Sequence, residues 1–267
     1  MVGTQKTVQS IEERVAQIQS YAQHFAQALQ AVDERRHLLE PVVGEGEIQT
    51  ALVNRFKNTY GSRGYEDMIR LLAEDLIRGL VRVFLDGGKK TASMCNIHRK
   101  ASAKDMFAAM RDAFAAIPEK WRAGGRFASE VDTPGALAAR EIWIKKEVSE
   151  FQDSFDEGWE VATNAIAAMN DDEVSAKLLS FRNKYYAHYE MAPLGEDPRP
   201  FDVGALEITY SDLFAFLDRY SEAGFEMSRV LTGNVHDLEG FSKAHSLYGR
   251  DMWRILAGME PIAHTNG

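Results

Sequence analysis

Helical spacing of the apolar residues constrains this chain most, because it recurs from one end of the sequence to the other. From Ile11 onward, apolar residues follow one another in alternating steps of four and three, at Val15, Ile18, Ala22, Phe25, Leu29 and Val32. This pattern predicts a long helix whose apolar stripe covers the body of its own chain or a second copy. Strand-like alternation is confined to one short segment, residues 205–210 (ALEITY). The sequence therefore predicts an all-α protein, a bundle of long helices.

Further helices are predicted along the rest of the chain. The run from Tyr65 to Leu85 is apolar round more than half of its circumference, which is typical of a central helix buried by several neighbours. Asn170, with Glu173 three residues later, predicts the N-cap and capping box of a helix that carries Phe181. The remaining helices are predicted over residues 48–60, 102–117, 134–169, 209–220 and 238–256.

Composition and charge exclude several classes of protein. The 267 residues carry a formal net charge of −9, so a nucleic-acid partner would have to be held by a local basic patch. The single cysteine, Cys95, excludes an intramolecular disulfide and fits a reducing compartment. The amino terminus lacks the apolar block of a signal peptide, and no stretch approaches the ~20 apolar residues that span a bilayer. We therefore expect a cytoplasmic protein with no membrane contact.

The common catalytic and metal-binding motifs are absent from the sequence. There is no Gly-rich phosphate loop, no dinucleotide fingerprint, no zincin pair of histidines and no G-x-S-x-G elbow. Only one histidine, His37, has a glutamate (Glu34) three residues before it, and one match cannot supply the two Glu-x-x-His pairs of a di-iron site. We expect neither a metal nor another cofactor.

The segment FRNKYYAHYE, residues 181–190, carries the pattern that most suggests chemistry. Arg182 is followed directly by Asn183 and, after five intervening residues, by His188. His188 falls in the last turn of its predicted helix, where the macrodipole favours the protonated imidazole. A side chain with an ordinary pKa of ~6.5 is thereby suited to proton transfer around neutral pH. A second match to this loose spacing, Arg229 and His236, is interpreted as chance, because glycine and asparagine between them predict a helix end.

This segment resembles the Arg–polar–x4–His motif of HEPN domains. Residues 68–100, in which a long apolar helix leads into a short basic stretch, are similar to the abortive-infection branch of that superfamily. The resemblance covers roughly residues 45–235, so we expect a long N-terminal helix over 1–44, a HEPN-like core over 45–235 and a C-terminal helix and tail over 236–267. It implies a metal-independent endoribonuclease that acts as a homodimer, as a toxin or antiphage effector. RNA would be the substrate, and an antitoxin or regulatory protein a further partner.

By this resemblance Arg182, Asn183 and His188 would be the catalytic set. In an α-helix six steps place Arg182 and His188 roughly 120° apart and ~9 Å along the axis, so one straight helix cannot aim both at one phosphate. A two-fold partner can supply the second group. Some HEPN toxins carry a tyrosine two residues after the histidine, which a partner nucleotidyltransferase modifies. Here Tyr189 is directly adjacent and position 190 is glutamate, so we do not expect that regulation.

Positive charge for holding RNA is concentrated in residues 86–104. The predicted contacts there are Lys89, Lys90, Arg99, Lys100 and Lys104. The same charges are equally compatible with a solvated loop that keeps the protein soluble.

Beside the Arg–His pair, Lys184, Tyr186 and Tyr189 are also predicted to contact RNA, since aromatic faces stack on unpaired bases. Tyr185 fits either that role or the core, because it continues the apolar stripe. Two alternatives to the nuclease remain open. One is a non-catalytic HEPN module that serves as an interaction or nucleotide-binding scaffold, and the other is an unrelated helical bundle.

Overall fold

The computed structural model describes residues 9–44, 46–122, 134–187 and 202–263, and these residues are helical without any β-strand. The first half comprises α1 (Ile11–Val43), α2 (Glu47–Phe56), α3 (Gly61–Leu80), α4 (Met94–Ala101), α5 (Lys104–Ala115) and α6 (Ile117–Trp121). The second half comprises α7 (Pro134–Asp171), α8 (Glu173–Ser180), α9 (Tyr210–Thr232) and α10 (Leu238–Ala257). The predicted all-α fold is confirmed.

Two of these helices continue into wider, π-helical turns. α3 runs on as the segment Val81–Leu85, and α8 runs on as the segment Phe181–Ala187. A short 3₁₀ turn, Val203–Leu206, precedes α9. It occupies the beginning of the ALEITY segment, where the sequence offered its one candidate for a strand.

Capping side chains explain where several helices begin. Ser10 and Glu13 exchange hydrogen bonds between side chain and backbone at the start of α1. Thr209 and Asp212 do the same at the start of α9, as the sequence predicted. The predicted N-cap at Asn170 is wrong, because α7 continues to Asp171 and the next helix begins after Asp172.

The described residues fall into two compact units. Unit 1 draws on the segments Met1–Ala26, Gly87–Ala167 and Ala223–His236, and unit 2 on Gln27–Asp86, Ala168–Glu222 and Asp237–Gly267. Our three-part division along the chain (1–44, 45–235 and 236–267) stays a prediction.

Aromatic side chains form the centre of unit 1. Phe155 of α7 is 1% exposed; its ring stacks on Trp159 with centroids 6.0 Å apart and meets Phe107 edge-on at 5.5 Å. Arg111 of α5 binds Asp156 through two guanidinium nitrogens, at 2.9 and 2.7 Å, beside this cluster. The apolar spacing of the sequence thus places α5 and α7 against each other.

Unit 2 contains the second half of α1, the whole of α2, α3, α8 and α10, and the first half of α9. Phe84 and Phe216 meet edge-on with centroids 5.7 Å apart. α10 lies very close to α1: a Cβ atom added at Gly249 would lie 2.1 Å from the carbonyl oxygen of His37, so only glycine fits there. Trp253 fixes the same contact by donating its indole N–H to the carbonyl oxygen of Leu38 at 2.6 Å.

The run predicted as a central buried helix is helical throughout, but in its first half only Tyr65 is buried. Leu76, Leu80 and Phe84 are fully enclosed, whereas Leu71 in the first half is 58% exposed. No helix in the described part of the chain is long and apolar enough to cross a membrane.

Candidate functional site

The helix that carries the Arg–Asn pair is anchored at its start by one buried carboxylate. Asp172 accepts the backbone N–H of Val174 at 2.8 Å, which satisfies an otherwise unpaired amide of the first turn of α8. Its other oxygen accepts hydrogen bonds from Arg219 at 2.6 Å and from the hydroxyl of Tyr220 at 2.8 Å. Both partners belong to α9, so Asp172 fixes the start of α8 against α9.

The Arg–Asn pair lies in the π-helical segment Phe181–Ala187 that follows α8. π-helical turns are rare and occur frequently at functional sites. Because such a turn closes hydrogen bonds from i to i+5, the 100° step assumed for an α-helix does not hold here. The estimate of roughly 120° between Arg182 and His188 therefore does not apply to this segment. His188 itself lies outside the described residues.

Neighbouring side chains of this segment divide between interior and surface. Phe181 is 2% exposed, and the ring of Tyr185 packs on it with centroids 5.1 Å apart. Arg182 and Asn183 are exposed. The packing of Phe181 into unit 2 therefore turns the two predicted catalytic side chains outward.

The guanidinium of Arg182 is held in place and remains accessible. It donates from Nη1 to the side-chain oxygen of Asn183 at 3.0 Å, and its Nη2 lies 3.9 Å from Oδ1 of Asp86. Asp86 follows the other π-helical segment, Val81–Leu85, which packs against α8. The Arg182 side chain is 45% exposed, so a phosphate group can reach its remaining donors.

Tyr185 lies on the core side of the segment. Of its two interpretations, a core residue or an RNA contact, this favours the core. Its hydroxyl donates to Oε1 of Glu74 at 3.3 Å, and Glu74 also lies 3.6 Å from Nη1 of Arg70. Burial, and next the negative charge of Glu74, raise the pKa of the Tyr185 hydroxyl. The Tyr185 hydroxyl is therefore engaged by Glu74 within unit 2.

The other residues predicted beside the pair are only partly covered by the structure. Lys184 is half-buried in the π-helical segment, and Tyr186 belongs to the same segment. Tyr189, like His188, lies outside the described residues. The contacts of Asp86 and Glu74 with this segment could not be predicted from the sequence, because their partners are far away in the chain.

The predicted basic stretch contains a helix, α4, that the sequence pattern does not predict. α4 begins at Met94, where the Ser93 hydroxyl accepts the backbone N–H of Asn96 at 3.3 Å. Arg99 and Lys100 therefore lie on the last turn of a helix and not in a loop. Eight residues are too few to show a clear apolar period, so Ser93 is the main signal in the sequence.

The five cations of this stretch differ in how far they are engaged. Arg99 donates to Oδ1 of Asn96 at 2.5 Å and to the carbonyl oxygen of Gly87 at 3.4 Å. Lys100 lies over the ring of Tyr21, 4.6 Å from its centroid. Burial and then the charge of Arg99 lower the pKa of Lys100.

Lys89, Lys90 and Lys104 are exposed cations of the same stretch. This stretch belongs to unit 1, whereas Arg182 belongs to unit 2.

His98, in α4, packs against α7. Its ring stacks on Trp159 with centroids 4.7 Å apart, and its Nε2 lies 2.9 Å from the Thr163 hydroxyl. Burial lowers the pKa of His98. We interpret it as a packing residue of unit 1.

The second Arg–His match has the environment expected of a coincidence. α9 ends at Thr232 and Gly233 has a positive φ of 77°, so no single helix carries both Arg229 and His236. Arg229 is bound to Glu226 at 2.6 Å and to Ser154. Among the described residues no group of three or more His, Cys, Asp or Glu side chains could hold a metal ion.

Comparison with known proteins identifies the family. The model of the HEPN family described as AbiU2 matches residues 9–252. Searches of the curated proteins and of the solved structures each found no significant match. The family match covers most of the chain, including the Arg182–Asn183 pair and both π-helical segments. The chain therefore belongs to the AbiU2 family, in the abortive-infection branch of the HEPN superfamily.

Proposed function

We propose that this protein is a metal-independent endoribonuclease that acts as a homodimer, and that it serves as a toxin or antiphage effector. The observation that carries the proposal is the Arg182–Asn183 pair, which is exposed on a π-helical turn of a chain that belongs to a HEPN family. Asn183 and Asp86 hold the Arg182 guanidinium from two sides without enclosing it. This arrangement suits a phosphate-binding arginine, because the planar guanidinium binds phosphate through two parallel hydrogen bonds.

The reaction that fits these residues is transesterification at an RNA phosphate. The ribose 2′-hydroxyl attacks the adjacent phosphorus, the bond to the 5′-oxygen breaks, and a 2′,3′-cyclic phosphate and a 5′-hydroxyl remain. His188 removes the 2′-hydroxyl proton as base, or protonates the leaving 5′-oxygen as acid. Arg182 stabilises the negative charge that develops on the phosphate oxygens. Asn183 orients the guanidinium through the hydrogen bond described above.

A homodimer can build one site from two copies of this segment. An isologous interface brings the second copy of each residue to the same two-fold axis, so a guanidinium of one subunit can meet the imidazole of the other. Lys89, Lys90 and Lys104 are the exposed cations proposed to hold the strand. Arg99, Lys100, Lys184, Tyr186 and Tyr189 complete the proposed RNA contacts.

Cleavage of a labelled single-stranded RNA in excess EDTA tests the proposal. Arg182→Ala and His188→Ala should each lower the rate by at least about a hundredfold, because each removes a group that acts in the transition state. Arg63→Ala and His24→Ala are the matched controls, since both side chains are exposed in α3 and α1. DNA of the same sequence lacks the 2′-hydroxyl and should remain intact. Wild-type cleavage by His188→Ala would exclude the proposed site.

A non-catalytic HEPN scaffold is the second candidate, and the formal net charge of −9 favours it because acidic proteins repel nucleic acid. Induced expression in a bacterial host separates the two functions. A nuclease arrests growth when the wild-type protein is expressed and does not when Arg182→Ala is expressed. A scaffold gives the same growth with both proteins.

A further inference from the structure

A cavity of about 430 Å³ lies in unit 2, between the end of α1, the start of α2 and one face of α10. Its volume falls within the roughly 300–1,000 Å³ that small-molecule sites occupy. The walls are mainly polar, with Pro41 and Ile48 as an apolar part. The cavity thus has the size and lining for a small polar ligand with a short organic portion.

The α10 wall of the cavity presents donors in a row. Ser246, Arg250 and Arg254 follow one another at intervals of four residues and therefore lie on one face of the helix. Within the described part of the chain, Arg250 has no hydrogen-bond or ion-pair partner. Arg254 uses its Nε on the carbonyl oxygen of Glu260 at 2.9 Å. Two like charges one turn apart destabilise a helix, and a bound anion would relieve that repulsion.

The facing wall carries two carboxylates, Glu40 and Glu47. Glu40 lies 3.9 Å from Nη2 of Arg36 on the preceding turn of α1, which partly offsets its negative charge, and 3.3 Å from Nδ1 of His37. Among the described residues, neither carboxylate forms an ion pair with Arg250 or Arg254 across the cavity. The arginines therefore remain available for a ligand from outside the chain.

We propose that this cavity binds a small organic phosphate, with the phosphate group held by Arg250 and Arg254. A single guanidinium satisfies a carboxylate, whereas two adjacent guanidiniums match the three oxygens and higher charge of a phosphate. Ser246 adds a hydroxyl donor on the same face. The organic portion lies against Pro41 and Ile48. This site is separate from the proposed nuclease chemistry, and it does not depend on that activity.

Calorimetric titration of the full-length protein with inorganic pyrophosphate, in chloride buffer of constant ionic strength, tests the proposal. One binding event per chain is expected in the wild type. Arg250→Ala and Arg254→Ala should each weaken it at least about tenfold, since each removes a charge-assisted hydrogen bond. Lys243→Ala is the matched control: it is exposed on the same helix, outside the cavity, and should change affinity less than about twofold.

A substitution that should strengthen pyrophosphate binding makes the test specific. Glu47→Gln removes the carboxylate that repels an anion and should tighten pyrophosphate binding. Weaker binding by Glu47→Gln would mean that pyrophosphate is not held by Arg250 and Arg254 opposite this carboxylate, and would overturn the proposal. So would an absence of binding by the wild type, or unchanged affinity in Arg250→Ala, a substitution at an exposed position that should leave the fold intact.

Titration with an oligouridine separates a small ligand from an RNA strand as the source of the phosphate. The proposal predicts that Arg250→Ala leaves the affinity for oligouridine unchanged while pyrophosphate binding falls. If both affinities fall together, the phosphate belongs to a nucleic-acid strand, and the assignment to a small molecule is wrong.

Discussion

Residues that are neighbours in the Phe181–Ala187 segment have opposite environments, and the proposed chemistry depends on this division. Phe181 and Tyr185 face the interior of unit 2, so they fix the segment in place. Arg182 and Asn183 face outward and interact with each other. A guanidinium that is positioned by rigid neighbours loses less side-chain entropy when it binds a phosphate. The buried residues of the segment thus contribute to function through the exposed ones.

Tyr185→Phe tests this division at a single atom. The change removes the hydrogen bond to Glu74 and should lower the free energy of unfolding by about 1 kcal/mol, because the ring keeps its packing. RNA cleavage should persist. Urea denaturation and the cleavage assay measure the two effects. Tyr210→Phe, at an exposed position of α9, is the control. A full loss of cleavage at unchanged stability would instead assign Tyr185 to substrate contact.

At the scale of the helix, the junction between α7 and α8 shows what a local sequence signal can and cannot predict. Asn170 and Glu173 satisfy the capping-box pattern, yet the helix breaks two residues later. Asp172 is the N-cap instead, because Arg219 and Tyr220, which are remote in sequence, bind its second oxygen. A cap supported by tertiary contacts is more stable than one that satisfies only its own turn.

Asp172→Ala should therefore destabilise the protein far more than Asn170→Ala. The first change removes the cap and leaves the buried Tyr220 hydroxyl without an acceptor, which together cost roughly 2–4 kcal/mol. The second removes an exposed side chain inside α7 and should cost less than about 0.5 kcal/mol. Chemical denaturation of both variants measures the two losses in the free energy of unfolding. Equal destabilisation would mean that the helix break does not depend on Asp172.

Over the whole molecule, periodicity predicted the helices because a buried face must repeat every 3.6 residues. The stripe from Ile18 to Val32 is buried as expected. α4 was missed, since eight residues that include His98, Arg99 and Lys100 show little of that period. The π-helical turns and the contact between Arg182 and Asp86 could not be predicted from the sequence, because both arise from packing between distant segments. The proposed catalytic set came from family resemblance. The structure gives the positions and contacts of two of its three members, Arg182 and Asn183.

Mixed dimers test whether the proposed site is shared between two subunits. Arg182→Ala and His188→Ala subunits should each be inactive alone, but a dimer with one of each retains one arginine and one histidine on opposite subunits. If each site takes its guanidinium and its imidazole from different copies, mixing the two variants should restore cleavage. Random pairing makes about half of the dimers mixed, so the recovered rate should stay below that of the wild type.

Native mass spectrometry on the same samples shows whether mixed dimers have formed. Mixed dimers that cleave no RNA would mean that the arginine and histidine of one site come from the same chain, and the dimer would then have some other role. A wild-type protein that is monomeric at concentrations where it cleaves RNA would contradict the shared site directly. Recovery on mixing has no explanation within a single subunit, because neither variant carries both groups.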